Sequence, residues 1–412
     1  MPGCNCGGLW TFNCVSNNFI TMNKRELVQA AAVEHIRRCD YTGALVIAPR
    51  VGKSKIVVDA IGEKFFHAEH GGWGGAEGIF IAAPYRPIAS NWHKELLKWG
   101  GIHCDATTLC FPSLKKIATR PKLLVVDEWH ELSANQMDAI KKLDPERLLL
   151  VTGTANEYSR AHLKFKLGIE VGFEYAIEEA IRDGIIANFH VYIVKVPLNE
   201  SVKCHKVNGV PATERQSYDY HTALFDDLRI KEQANPGLKA AKEAAARRRS
   251  ELLYGVRSKF KVAKRIANEV NERLLIFTAR TAMADKLSPY SYHSKNKKAY
   301  LQVGEEKAKN NLDRFIDEEI NTLAVVKMTD MGITFPDLKT ELVHQLQSNS
   351  EDSLQKFLRA CNLEDEKKAK IIITVCKDTM DEAWAMEAMK GVPSEKITWL
   401  ELGGLEGLLN EF

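Results

Sequence analysis

Short apolar runs, each followed by a stretch with helical periodicity, recur along this chain, and that alternation limits the folds open to it. A first series comprises GALVIA (43–48), GIFIAAP (78–84), KLLVVDE (122–128), RLLLVTG (147–153) and HVYIVKV (190–196). A second comprises RLLIFTA (273–279), TLAVVKM (322–328), TELVHQL (340–346) and KIIITVC (370–376). Strands separated by amphipathic helices pair in parallel, with helices covering both faces of the sheet. The expected class is therefore α/β, built twice. At 412 residues the chain exceeds the roughly 250–300 beyond which a single core usually splits. We expect an N-terminal appendage (1–22), a first domain with a parallel sheet (23–197), a helical connector (198–262) without a convincing strand, and a second such domain (263–412).

Chemistry concentrates at two strand ends. In APRVGKS (48–54), Gly52, Lys53 and Ser54 fall where GALVIA gives way to the helical pattern KSKIVVDAIGEKFF (53–66). Backbone N–H groups at such a turn, reinforced by the helix dipole, point at an anion. Arg50, Val51 and Gly52 would cradle phosphate, Lys53 would reach the β and γ phosphates, and the Ser54 hydroxyl would ligate Mg²⁺. The loop departs from the full phosphate-loop pattern, with Ile47 where a glycine belongs and Arg50 where related loops often carry a second one. The run Leu123 to Val126 ends in Asp127 and Glu128. Acids at the carboxyl end of a neighbouring parallel strand face such a loop. Asp127 is placed to hold the Mg²⁺ shell and Glu128 to orient and deprotonate an attacking water. ATP and Mg²⁺ are the cofactors expected.

Composition narrows less. Net charge is only +3, so no global field announces a nucleic-acid partner and any basic surface is local. One local run stands out: residues 239–265 carry ten basic side chains against Glu243 and Glu251, which reads equally as a solvated helix face or a phosphate-contacting one. Nine cysteines without a spacing repeat suggest reduced thiols and a cytoplasmic protein. Cys4, Cys6 and Cys14 lack a fourth ligand in their segment, so no metal is expected there. The apolar runs fall far short of the ~20 residues of a membrane helix, and no membrane partner is expected.

The motif order resembles superfamily 2 helicases and translocases, in which ATP lies between two tandem RecA-like domains. The resemblance covers about residues 24 to 395. RELVQAAAVEHI (25–36) resembles the segment in which a glutamine, here Gln29, reads the adenine edge. GIFIAAPYRPIASNWHKELLKW (78–99) looks like motif Ia, implying that Arg86 contacts nucleic acid while Trp92 packs. DEWH (127–130) is similar to a DExH box, in which His130 couples the nucleotide site to motif III, here TGTA (152–155) with the hydroxyls of Thr152 and Thr154. YAIEEAIRDGIIANFHVYIV (175–194) and the closing TMDEAWAMEAMKG (379–391) resemble the UvsW-like, XPB-like and restriction-subunit branch, including phage-encoded members, which usually acts on DNA. LLIFTAR (274–280) looks like motif IV and places Arg280 at nucleic acid, YHSK (292–295) resembles the segment after it, and MTDMGITFPDLK (328–339) resembles motif V around Asp330 and Gly332.

Motif VI of these enzymes reads Q-x-x-G-R-x-x-R. SLQKFLRACN (353–362) keeps Gln355 and Arg359 but has Leu358 for the glycine and Asn362 for the last arginine. Arginine fingers of this kind are worth ~10³ to 10⁵ in rate. Two functions follow from the resemblance. One is an ATP-dependent helicase or translocase, monomeric, acting on single-stranded or branched DNA, with Arg359 completing the site. The other is a slow ATP- and DNA-binding regulatory protein on the same fold.

Overall fold

Two all-parallel sheets carry the chain. Strands in the order met are β1 (Gly43–Ile47), β2 (Ile79–Ala83), β3 (Thr107–Cys110), β4 (Leu123–Asp127), β5 (Leu148–Thr152), β6 (Val171–Tyr175), β7 (Phe189–Val196), β8 (His205–Val207), β9 (Val210–Ala212), β10 (Leu274–Thr278), β11 (Ser291–Tyr292), β12 (Thr322–Val326), β13 (Thr340–Val343), β14 (Ala369–Cys376) and β15 (Ile397–Glu401). The computed structural model describes residues 22–65, 78–100, 106–186, 188–296, 309–326, 335, 338–346, 369–390 and 392–410. Asp330, Gly332, Gln355, Arg359 and the cysteines at 4, 6 and 14 lie outside them.

The first sheet runs β3-β2-β4-β5-β1-β6. Every residue of LLVVD in β4 and LLLVT in β5 is buried, because helices cover both faces. From β1 the chain crosses over β5 and β4 to reach β2, so β5 is flanked by β4 and β1. That order brings the carboxyl ends of β1, β5 and β4 side by side, and ligands of open parallel sheets bind at such crevices.

The second sheet runs β11-β12-β10-β13-β14-β7-β15. Here one expectation fails. HVYIVKV, grouped by its place in the chain with the first series, lies in the second sheet as β7. It pairs with β14 along its whole length, from Phe189 with Ala369 to Val196 with Cys376, and on its other side with β15. The first sheet offers only β6 as that edge, five residues long and largely exposed or half-buried. An eight-residue apolar strand satisfies more backbone groups, and buries more surface, between two strands of the second sheet.

The connector also differs from expectation in part. Residues 205–212 form a hairpin, β8 with β9 antiparallel, turning through Asn208 (φ +50°) and Gly209 (φ +83°). Asn-Gly is the usual pair for such a two-residue turn. Three helices follow, Glu214–Ala234, Lys239–Tyr254 and Arg257–Glu269. Much of the basic run is committed internally. Lys259 is fully buried against Asp381 at 2.5 Å, Lys242 pairs with Glu232, Arg265 with Glu269 and Glu406, and Lys264 donates to the Leu287 carbonyl. Lys239, Arg247, Arg248, Arg257 and Lys261 are exposed. Among the described residues no helix is long and apolar enough to cross a membrane.

Candidate active site

The phosphate-loop candidate is held from behind by the first helix. Lys24–Arg38 starts on a capping box between Asn23 and Glu26, which fixes its register, and its buried Gln29 donates from Nε2 to the Val51 carbonyl at 2.6 Å. Gly52 has φ +102°, and a Cβ there would lie 2.7 Å from that same Nε2. Only glycine meets both the backbone angle and the close approach. Arg50 also sits in the left-handed region, φ +70°. This is the position where related loops often use glycine, and a side chain there costs on the order of 1–2 kcal/mol. Lys53 then opens the helix Lys53–Phe65, whose first turn carries no acidic residue, so its N-terminal dipole is not neutralised by its own side chains.

Asp127 and Glu128 leave the end of β4 in different environments. Asp127 is buried, its Oδ2 accepting from Trp92 Nε1 at 2.8 Å and its Oδ1 from the Glu128 N–H at 3.0 Å. Burial lifts its carboxyl to about 6, the Lys53 ammonium opposes the rise, and the charge of Glu128 adds to it. Glu128 stands in the left-handed region, φ +53°, a strained conformation of the kind that clusters at functional sites. Its Oε1 accepts from Lys53 Nζ at 2.5 Å. Burial alone would raise this carboxyl, but the Lys53 and His130 charges, with hydrogen bonds from Lys53 and Thr152, hold it well below the usual range. The two acids are thus pulled apart: Glu128 is ionised by its contact with Lys53, whereas at Asp127 burial outweighs the Lys53 charge. Trp129, fully buried, fixes the turn by reaching the Leu45 carbonyl of β1 with its indole N–H at 3.3 Å.

The end of β5 closes the cluster. Thr152 Oγ1 lies 2.9 Å from Glu128 Oε2 and 2.6 Å from His130 Nδ1, and the Gly153 N–H donates to the same Oε2 at 3.3 Å. A hydroxyl has one proton, and the carboxylate is its strongest acceptor. With that proton on the Glu128 side, the hydroxyl oxygen accepts from Nδ1–H of His130. The Thr154 carbonyl lies 3.0 Å from the same Thr152 oxygen and competes with Glu128 for its proton.

The structure therefore brings together Gln29, Val51, Gly52, Lys53, Asp127, Glu128, His130, Thr152 and Thr154. Ser54 lies half-buried one residue into the helix. Arg86 is exposed where the chain leaves β2, and Arg280 is exposed just beyond β10 with its guanidinium 5.9 Å from the Tyr254 ring centre. Sequence reasoning missed Trp92, read as packing alone, and the Gly153 N–H. An indole placed six residues into a helix after a strand shows no hydrogen-bond partner in sequence, and a backbone donor shows none at all.

The residues fit a magnesium nucleotide. A loop with no room for a Cβ at Gly52, a helix N-terminus without an acid and a buried carboxyl raised to about 6 together offer phosphate donors and a ligand for a divalent cation. Asp127 and Ser54 would hold Mg²⁺, and the 51–54 backbone with Lys53 would hold the phosphates.

No family model and no curated protein matches this chain. Among solved structures, S. cerevisiae Dbp5 bound to RNA and ADP BeF3 is similar over 95% of this chain and 93% of its own, at 12% identity and a TM-score of 0.58. A variant of the same protein, also bound to RNA and ADP BeF3, aligns over 93% of each chain at 13% identity and a TM-score of 0.58. The Hef helicase domain of Pyrococcus furiosus covers 88% of this chain and 97% of its own, at 14% identity and a TM-score of 0.46. The likeness to the first two is one of fold: the two parallel sheets of this chain are tandem RecA-like α/β domains, as in those neighbours.

Proposed function

We propose that this protein hydrolyses ATP at the Lys53–Asp127–Glu128 cluster and couples that hydrolysis to movement on nucleic acid, DNA by the branch its motifs resemble. The observation that carries the reading is the Lys53–Glu128 contact at 2.5 Å at a helix N-terminus whose first turn carries no acidic residue, with Thr152 and His130 linked to the same carboxylate. When bound, Mg²⁺ would supply electrostatic stabilisation of phosphate charge. Lys53 exchanges its carboxylate partner for phosphate oxygens, and the backbone N–H groups of 51–54 receive the remaining charge. Released from Lys53, Glu128 keeps Thr152 and Gly153 as donors, which hold it ionised and aimed as the base for water. His130 and Thr152 carry that change toward the end of β5, and Arg359, outside the described residues, would complete the site as the motif VI resemblance implies. The fold of Dbp5 bound to RNA and ADP BeF3 supports a nucleic-acid partner and a nucleotide in the same architecture. Cytoplasmic localisation and a monomer complete the proposal.

Phosphate release measured with single-stranded DNA, duplex DNA, forked DNA and RNA tests the coupling. Stimulation by one polymer supports it and identifies the substrate, while an identical rate with and without every polymer removes the nucleic-acid half of the reading. A second reading, a slow ATP- and DNA-binding regulator, rests on Asn362 and Leu358 in place of the motif VI arginine and glycine. Asn362→Arg separates the two: a large gain in turnover favours the regulator, and no gain says that Arg359 suffices.

A further inference from the structure

The connector holds a group of side chains that the ATPase reading does not use. Cys204, His205 and Glu214 present a sulfur, a nitrogen and an oxygen ligand atom all within 4.8 Å of one another. Two buried imidazole nitrogens nearby, Nε2 of His205 and Nδ1 of His221, have no hydrogen-bond partner. Both histidines line the same cavity of about 380 Å³. Leaving buried polar nitrogens unpaired costs on the order of 1–3 kcal/mol each, so such groups call for an explanation.

We propose that Cys204, His205 and Glu214 bind a structural Zn²⁺ ion, and that His221, which shares a cavity with His205 but lies outside the three-residue cluster, turns in as the fourth ligand. A thiolate, imidazoles and a carboxylate are the donor types zinc takes in tetrahedral sites. Glu214 is already arranged as a ligand should be: Asn199 N–H and Ser258 Oγ donate to its Oε2 at 2.8 and 3.1 Å, and Arg257 N–H to its Oε1 at 2.8 Å. Hydrogen bonds of this kind orient metal-bound carboxylates. Burial, the Arg248 charge and the proximity of His205 favour the neutral form of His221, the form that ligates metal. An ion here would tie the β8–β9 hairpin to the start of Glu214–Ala234 and, through the bonds to Glu214, to the exit of β7 and the start of Arg257–Glu269. The connector between the two sheets would then be stapled at one point.

The test uses the full chain carrying Cys4→Ser, Cys6→Ser and Cys14→Ser, so that the N-terminal thiols contribute nothing. Stripped protein is titrated with Co²⁺, read by thiolate-to-metal charge-transfer absorption, and the ion is then displaced with Zn²⁺. One equivalent per chain is expected, with Zn²⁺ bound more tightly than about 1 μM. Cys204→Ser should remove the charge-transfer band. His205→Ala and His221→Ala should each weaken binding by roughly tenfold or more, and Zn²⁺ should raise the Tm of the parent but not of these variants. Circular dichroism of each metal-free variant confirms that it folds, and His221→Ala carries the test if Cys204→Ser does not. Absence of a bound equivalent in the parent, or a charge-transfer band that survives Cys204→Ser, overturns the site.

Discussion

The indole of Trp92 donates to Asp127 Oδ2 at 2.8 Å, and both side chains are buried. A helix that follows β2 thereby holds the acid at the end of β4. Trp92→Phe keeps the packing and removes the donor. We expect a loss of about 1–3 kcal/mol in denaturant unfolding, and an unchanged midpoint would show that the bond contributes nothing.

Asp127 gives stability a pH dependence of definite sign. Its folded carboxyl lies near 6, above the ordinary 3.8. A carboxyl raised on folding stabilises fully below its unfolded value, and that contribution is lost as pH rises through 6. Asp127→Asn, permanently neutral, should therefore be more stable than the parent by on the order of 2–3 kcal/mol at pH 8 in metal-free buffer, and equal to it near pH 3.5. A difference that does not vary with pH would contradict this.

At Gly52 a Cβ would meet Gln29 Nε2 at 2.7 Å in a left-handed backbone. Gly52→Ala should lose about 1–2 kcal/mol of stability and most of its nucleotide affinity. Adding Gln29→Ala should restore the part of the stability loss due to the clash and leave the part due to φ, which denaturant unfolding of the single and double variants can separate.

Lys259 and Asp381 form a fully buried pair at 2.5 Å, and Asp381 Oδ2 also accepts the Cys376 N–H at 3.0 Å. Lys259→Met strands a carboxylate in the core and should cost about 3–5 kcal/mol. Lys259→Met with Asp381→Asn should recover much of that, since the asparagine oxygen still accepts from Cys376. Equal instability of single and double variants would show that packing, rather than charge, is at stake.

How much of this was legible beforehand depends on the range of the interaction. The nine strand candidates, the helix after Gly52 and the acids at the end of β4 follow from local pattern and form where that pattern puts them, whereas β3, β6, β11 and β15 were not among the candidates. Strand membership did not follow: β7 is adjacent in sequence to the first sheet, but its partners lie at 369–376 and 397–401, and no local pattern reveals a partner that far along the chain. The β8–β9 hairpin has a local signal in Asn208-Gly209 flanked by Val207 and Val210, but its three-residue strands leave almost no periodicity. Trp92 and Lys259 carry long-range polar partners, Asp127 and Asp381, that sequence spacing cannot pair.

The central claim is that Glu128 is the base at a site where Lys53 and the 51–54 loop bind ATP. The most direct measurement compares nucleotide binding and polymer-stimulated phosphate release in the parent and in Glu128→Gln. The variant should bind ATP as the parent does and release phosphate roughly 10² to 10⁴ times more slowly. A Glu128→Gln protein that turns over ATP at the parental rate would place the chemistry elsewhere.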